Sequence, residues 1–271
     1  MMKSKMTDIR LTWFGHNCFL FSFDGTNILI DPFFEASLSV QDKRQLTLDY
    51  ILVSHGHDDH LTDALGLALQ SNAPIITSFE LGNFFERKGG KTEKINIGGA
   101  IYLPLKDSFK PKFQILATPA LHSSSLTNHN SAGNSMGFVI SFSQNRVPLS
   151  PHEVQSIKPL KDQLAEASAF SVYFACDTGY FSDMSWIGQL GVDIAVLPIG
   201  DRFTMGPSAS LDAINAISPK LVTPSHYNTW EPISQNVNMW SESVKKYTHA
   251  QPCVIPNGGT LLIEDNQCRL L

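Results

Sequence analysis

The segment Tyr50-Ile51-Leu52-Val53-Ser54-His55-Gly56-His57-Asp58-Asp59-His60-Leu61 decides how this chain is read. Residues 50–53 form a short apolar run of the kind that makes a buried strand, and a helix begins beyond them because Leu61, Ala64, Leu65, Ala68 and Leu69 recur at helical spacing. Between strand and helix stand three histidines and two aspartates within six positions. A loop at such a junction can turn several side chains onto one point. Imidazole nitrogens and a carboxylate suit a borderline cation such as Zn²⁺, with His55 and His57 gripping one ion while Asp59 and His60 face another. Asp58 holds the remaining position of the motif and is assigned to the surface, as are His129, His152 and His249.

Outward from the motif the grammar is that of a layered fold. Residues 9–14, 18–23 and 27–30 read as an antiparallel meander, with Asp24-Gly25 as a hairpin turn. Beyond the histidines, strand patterns at 74–77, 95–103, 113–118, 136–142, 171–176, 193–198 and 220–223 alternate with helical patterns at 80–87, 184–190, 208–217 and 235–247. Residues 254–264 read as paired strands around Asn257-Gly258-Gly259. Two mixed halves of this kind predict two packed sheets with helices outside. Residues 143–169, with Pro148, Pro151 and Pro159, are long for a connection and read as a surface insertion, or as a lid or oligomer contact.

The chain has 271 residues, 42% of them hydrophobic, 10% aromatic and only 17% charged, which excludes disorder and predicts strands buried on both faces. Net charge is −5, so no basic surface speaks for nucleic acid. Apolar runs fall short of the ~18 residues of a membrane-spanning helix. Residues 1–10 lack the apolar core of a signal peptide, so the expectation is a cytoplasmic protein. Cys18, Cys176, Cys253 and Cys268 form no CxxC pair and are expected reduced and buried.

The motif, the strand before it and the residues that follow resemble the metallo-β-lactamase superfamily, essentially from end to end. That resemblance implies an α/β fold, a four-layer αββα sandwich. It also implies one domain over 1–271, with pseudo-related halves at about 1–135 and 136–271 and an insertion near 143–169. The family takes its remaining ligands from residues after strands, and His122, Asp177 and His226 each follow a strand pattern here. By that resemblance His55, His57 and His122 hold one ion, Asp59, His60 and His226 a second, and Asp177 bridges both. Four further stretches are similar to metal-dependent hydrolases that include ascorbate-6-phosphate lactonase and N-acyl phosphatidylethanolamine phospholipase D. They are Thr12-Trp13-Phe14-Gly15-His16, Ile30-Asp31-Pro32, residues 197–207 and Pro224-Ser225-His226-Tyr227-Asn228-Thr229.

What the resemblance implies is a metal-dependent hydrolase in which water held between two divalent ions attacks a carbonyl or phosphorus centre. The substrate is a small lactone, ester or phosphodiester. Zinc is the first candidate for the ions, with manganese or iron also suited. Asp59 takes or passes the proton. His16 faces substrate or supports the metal site, and Asp31 supports the histidine loop through hydrogen bonds. Arg202 can fork onto a phosphate or carboxylate, or make a structural ion pair instead. Tyr227 and Asn228 can donate to a developing oxyanion, or simply pack. No nucleic-acid partner is expected, and a homo-oligomer is compatible with the sequence. Two other readings compete. One is a di-iron redox protein on the same fold, which usually carries Glu where His57 stands and a fused flavin domain. The other is a non-catalytic module stabilised by metal.

Overall fold

The computed structural model describes residues 9–34, 42–43, 45–104, 111–128, 130–142, 158–166, 169–264 and 267–271. Residue 129 and most of the expected insertion, 143–157 and 167–168, lie outside them, and with these His129 and His152. The meander is present as β1 (Ile9–Trp13), β2 (Phe19–Phe23) and β3 (Thr26–Ile30). The β2–β3 hairpin turns on Asp24 and Gly25, both at positive φ. Next come β4 (Tyr50–Leu52), α1 (Asp58–Leu61), α2 (Ala64–Ser71), β5 (Ile75–Thr77), α3 (Phe79–Glu86) and β6 (Thr92–Lys94). The chain then makes β7 (Ala100–Pro104), β8 (Pro111–Pro119), β9 (Met136–Phe142), α4 (Leu160–Glu166) and β10 (Phe170–Phe174). It continues through α5 (Met184–Gly188), β11 (Ile194–Pro198), α6 (Pro207–Ile217), β12 (Leu221–Ser225), α7 (Val237–Tyr247) and β13 (Gln251–Pro252). The last two strands are β14 (Thr260–Glu264) and β15 (Gln267–Leu270).

These strands form two sheets, ordered β15-β14-β1-β2-β3-β4-β5-β6 and β13-β12-β11-β10-β9-β8-β7. The first sheet carries α2 and α3 on its outer face, and α6 lies on β11 of the second with α5 and α7 against it. The architecture is therefore the αββα sandwich. Phenylalanines fill the space between the sheets. Phe23 stacks on Phe142 at 4.2 Å and meets Phe113 edge-on at 5.4 Å, while Phe174 meets Phe21 at 6.0 Å. A second cluster, with Leu29, Ile51, Val53, Leu67, Leu81 and Phe85, seals α2 and α3 to their sheet.

Several local expectations are corrected. The helix behind the motif is two helices, broken where the Asp63 carboxylate accepts from Phe34 N at 3.0 Å and Asp63 N donates to Pro32 O at 3.1 Å. Leu69, placed on the buried face by spacing, is exposed, and Leu67 is buried instead. The pattern over 95–103 is not one strand. Gly98 turns at φ 85° and donates to Ala117 O at 2.8 Å, and the chain passes there from the first sheet to the second. The sheets thus divide near residue 98, and the C-terminal strands return to the first. Residues 254–259 are not a strand paired with 260–264; β14 pairs with β1 and β15. Cys253 and Cys268 are joined in a disulfide, because the return of β15 to one sheet edge brings Cys268 against Cys253 at the edge of the other. Cys18 and Cys176 are free and buried as expected. Among the described residues no helix is long and apolar enough to cross a membrane.

Phe23 bridges both sheets and is 1% exposed. Phe23→Ala should lower unfolding free energy by about 3–5 kcal/mol in urea melts at fixed metal occupancy. A loss under about 1 kcal/mol would show that the inter-sheet layer is loosely packed.

Candidate metal centre

The strands deliver the chemistry at one end of the sandwich. β1 and β3 run out into His16 and Asp31, β4 into His55, β8 into His122, β10 into Asp177 and β12 into His226. The chain must turn sharply after each strand, and non-glycine backbone at positive φ gathers there. His16 (53°), Asp31 (44°), Cys176 (52°), Asp201 (62°), Arg202 (43°), His226 (52°) and Asn228 (57°) all adopt it. Such conformations cost on the order of 1–3 kcal/mol each and persist where surrounding packing holds them. Part of that packing is backbone to backbone. The His16 carbonyl accepts from His226 N at 3.0 Å and from Trp13 Nε1 at 2.9 Å, tying the first turn to the last. Gly200 lies so close to the His226 carbonyl that a Cβ would collide with it.

Three groupings of ligand-type atoms result: His55, His57 and His122; His16, Asp59, His60 and His226; and Asp31, His55 and His60. In the first, His55 Nε2 lies 3.0 Å and His122 Nε2 3.3 Å from His57 Nδ1. In the second, His16 Nε2 contacts Asp59 Oδ2 at 3.1 Å. Asp177 Oδ2 touches members of both, at 3.5 Å from His122 Nε2, 3.4 Å from His60 Nε2 and 3.1 Å from His226 Nε2. Its other oxygen accepts from Asn17 Nδ2 at 2.6 Å.

Beneath the histidines Asp31 fixes which nitrogens face inward. Its Oδ1 accepts from Ser54 N at 2.8 Å, and its Oδ2 from Ser54 Oγ at 2.7 Å and from His60 Nδ1 at 2.9 Å. The Ser54 hydroxyl proton is spent on Asp31, so Ser54 Oγ accepts from His55 Nδ1 at 2.9 Å. Both histidines thereby present Nε2 to the interior, the arrangement that outer partners impose on metal-ligating imidazoles.

Electrostatics follow from burial. Desolvation pushes His55 well below the usual imidazole range and His122 below it. Burial alone would depress His60 too, but the Asp177 and Asp31 carboxylates raise it well above that range. Burial would raise Asp177, yet the charges of His226 and His60 beside it hold it well below the carboxylate range. His16 is brought down to about 4 by burial, against the pull of its Asp59 hydrogen bond. Burial would raise Asp59, but that bond and the His60 charge outweigh it and keep its carboxyl low. His60 Nε2 is fully buried and without hydrogen-bond geometry to any described partner, as is His226 Nδ1. His60 Nε2 is buried 3.4 Å from Asp177 Oδ2 without hydrogen-bond geometry to it, an arrangement that a cation between the two would satisfy, so this donor set fits a bound metal.

A family model described as the β-lactamase superfamily domain matches residues 10–226, a span containing every residue of the three groupings. The chain belongs to the metallo-β-lactamase superfamily. A UPF0173 metal-dependent hydrolase of Desulforamulus reducens is 35% identical over 94% of this chain and all of its own length. The structure of Igni18, a metallo hydrolase of the archaeon Ignicoccus hospitalis, superposes with a TM-score of 0.78 at 31% identity, covering 95% of this chain and 99% of that one. The fold is also that of CmlA, a diiron β-hydroxylase from Streptomyces venezuelae. Its TM-score is 0.62 at 14% identity, over 99% of this chain and 54% of that one.

The remaining expected residues lie unevenly around these groupings. Asp58 is exposed and accepts from Thr127 Oγ1, outside the groupings, and His249 is exposed. Arg202 is exposed with its guanidinium 5.5 Å over Phe203, and joins none of the groupings. Tyr227 stacks on Trp13 at 5.1 Å, and burial lifts its hydroxyl to about 12. Asn228 Oδ1 accepts from Gln235 N at 2.7 Å, which closes its own loop. Asn17, Ser54 and Thr229 had no assigned role in the sequence reading. Thr229 Oγ1 lies 3.1 Å from His16 Nδ1. The signal available for all three was adjacency: each abuts a residue of the quoted motifs.

Asp31→Asn should weaken metal affinity about 10–100-fold in a competitive chelator titration, because an amide cannot accept from all three donors. Unchanged affinity would show that Asp31 does not orient the histidines.

Proposed function

We propose that this chain is a binuclear metal-dependent hydrolase acting on a carbonyl or phosphorus centre of a small lactone, ester or phosphodiester. The observation that supports it is the position of Asp177 Oδ2, within 3.5 Å of His122 Nε2 in one cluster and 3.1 Å of His226 Nε2 in the other. His55, His57 and His122 would hold one ion, Asp59, His60 and His226 the second, and Asp177 both. Bound divalent ions would supply Lewis acidity and a water of lowered pKa, with zinc the first candidate and manganese or iron compatible with the same donors.

The protein's own groups have distinct tasks. Asp59 is ionised and 28% exposed, so it is the carboxylate best placed to take a proton at the opening. His16 is neutral and 1% exposed. With Nδ1 on the Thr229 hydroxyl it offers Nε2–H to Asp59 and holds that carboxylate in place. Asn17 does the same for Asp177. Cys176 has no part, since burial pushes its thiol well above the usual range, with Asp31 and Asp177 adding to the effect.

Two measurements test this reading. Chelation should abolish turnover across a panel of lactones, aryl esters and bis(p-nitrophenyl) phosphate, and zinc should restore it for one class. Failure to hydrolyse any member after reloading would contradict the proposal, and a visible charge-transfer band would favour di-iron chemistry. Metal uptake also displaces protons. His60 is protonated in the metal-free chain, because its pKa lies well above the ordinary value, and it must lose that proton to bind an ion. Calorimetric titrations at pH 7 in buffers of different ionisation enthalpy should therefore show net proton release, and affinity should fall as pH falls. No proton release would contradict the assignment of His60.

A further inference from the structure

Beside the histidine clusters the described residues form an open cavity of about 690 Å³. That is the size of a small-molecule site, ~300–1,000 Å³. Its apolar walls include Trp13, Phe33, Tyr227, Val237, Val254 and Leu270. Trp13 and Tyr227 stack on each other in that wall, with centroids 5.1 Å and planes 16° apart. The wall is braced from both sheet edges, because Val254 follows Cys253 and Leu270 lies two residues beyond Cys268 in the disulfide.

Among the described residues the polar lining is sparse and contains no Lys, Arg, Asp or Glu; it consists of His16, Asn228, Thr229 and Asn257 together with Tyr227 and backbone. A phosphate or carboxylate bound here would have no cationic side chain in the lining to compensate it, so the lining selects an uncharged, apolar occupant. His16 is a wall shared with the metal centre. Its Nε2 contacts Asp59 Oδ2 at 3.1 Å and its ring lies 4.0 Å from that of His226, while Phe33, also in the cavity wall, meets the His16 ring edge-on at 5.9 Å. An occupant of the cavity therefore ends at the imidazole next to the carboxylate assigned to proton transfer.

We propose that this cavity holds the uncharged acyl chain or aryl ring of the substrate, so that esters or lactones with an apolar acyl side are the substrate class of this site. The proposal rests on the hydrolase reading above. Lengthening the acyl chain adds apolar surface to be buried in the cavity, which strengthens binding and raises kcat/KM.

The test has a kinetic arm and a binding arm. In zinc-loaded protein, kcat/KM for p-nitrophenyl octanoate should exceed that for p-nitrophenyl acetate at least tenfold. Val254→Trp, which fills the cavity, should bring that ratio toward one. In the metal-free chain the neutral probe N-phenyl-1-naphthylamine should bind saturably, and Val254→Trp should abolish the binding. If that variant does not fold by circular dichroism, Val237→Phe on α7 serves in its place. Ester turnover with a flat chain-length dependence and no probe binding would overturn the cavity proposal while leaving the hydrolase reading intact. A steep ratio unchanged in a folded variant would overturn it as well. Turnover of the phosphodiester alone would overturn the substrate assignment, and saturable, Val254-dependent probe binding without turnover of any lactone, ester or phosphodiester would instead overturn the hydrolase reading, and the substrate assignment with it.

Discussion

A buried carboxylate governs this structure. Asp177 is 2% exposed, and it sits among imidazoles that arrive from α1 and from the ends of β8 and β12 and an amide from the turn after β1. Burying a charge costs several kcal/mol unless opposite charge and hydrogen bonds surround it. Residues 17 to 226 must therefore be in register before Asp177 is compensated, and both sheets contribute. The His16 carbonyl, accepting from the His226 amide, is the backbone expression of the same constraint.

The site is built at the expense of local comfort. The strand-end turns that aim the ligand-type residues carry left-handed backbone at His16, Asp31, Cys176 and His226. Two imidazole nitrogens, His60 Nε2 and His226 Nδ1, are buried without a hydrogen bond to any described residue. The phenylalanine layer between the sheets and the apolar seal under α2 and α3 hold these turns in place. Stability and function are thus divided between different parts of the molecule, and a bound cation would return stability to the end that lacks it.

Much of this was legible because it is local. The run from Tyr50 to His60 joins a strand, a donor-rich loop and a helix start within eleven positions, and strand-then-donor recurs at His122, Asp177 and His226. The features that were not legible depend on distant chain. Residues 95–103 carry the apolar residues of a strand at both ends, but Gly98-Gly99 between them marks a turn, and there Gly98 donates to the Ala117 carbonyl. Asn257-Gly258-Gly259 has the local pattern of a hairpin, whereas β1, about 250 residues away, is the partner of β14 in space. The disulfide has the same origin, since Cys253 and Cys268 meet only once β15 has returned to the first sheet. Asn17 and Thr229 are common polar residues whose role appears only when the turns after β1 and β12 come together.

The central claim is that Asp177 is shared between two ions. Anomalous diffraction at the zinc edge from a metal-loaded crystal measures this directly. The account predicts two peaks about 3.5–4 Å apart, one among His55, His57 and His122 and the other beside Asp59, His60 and His226, with Asp177 between them. A single fully occupied peak, or two peaks that do not share Asp177, would contradict it.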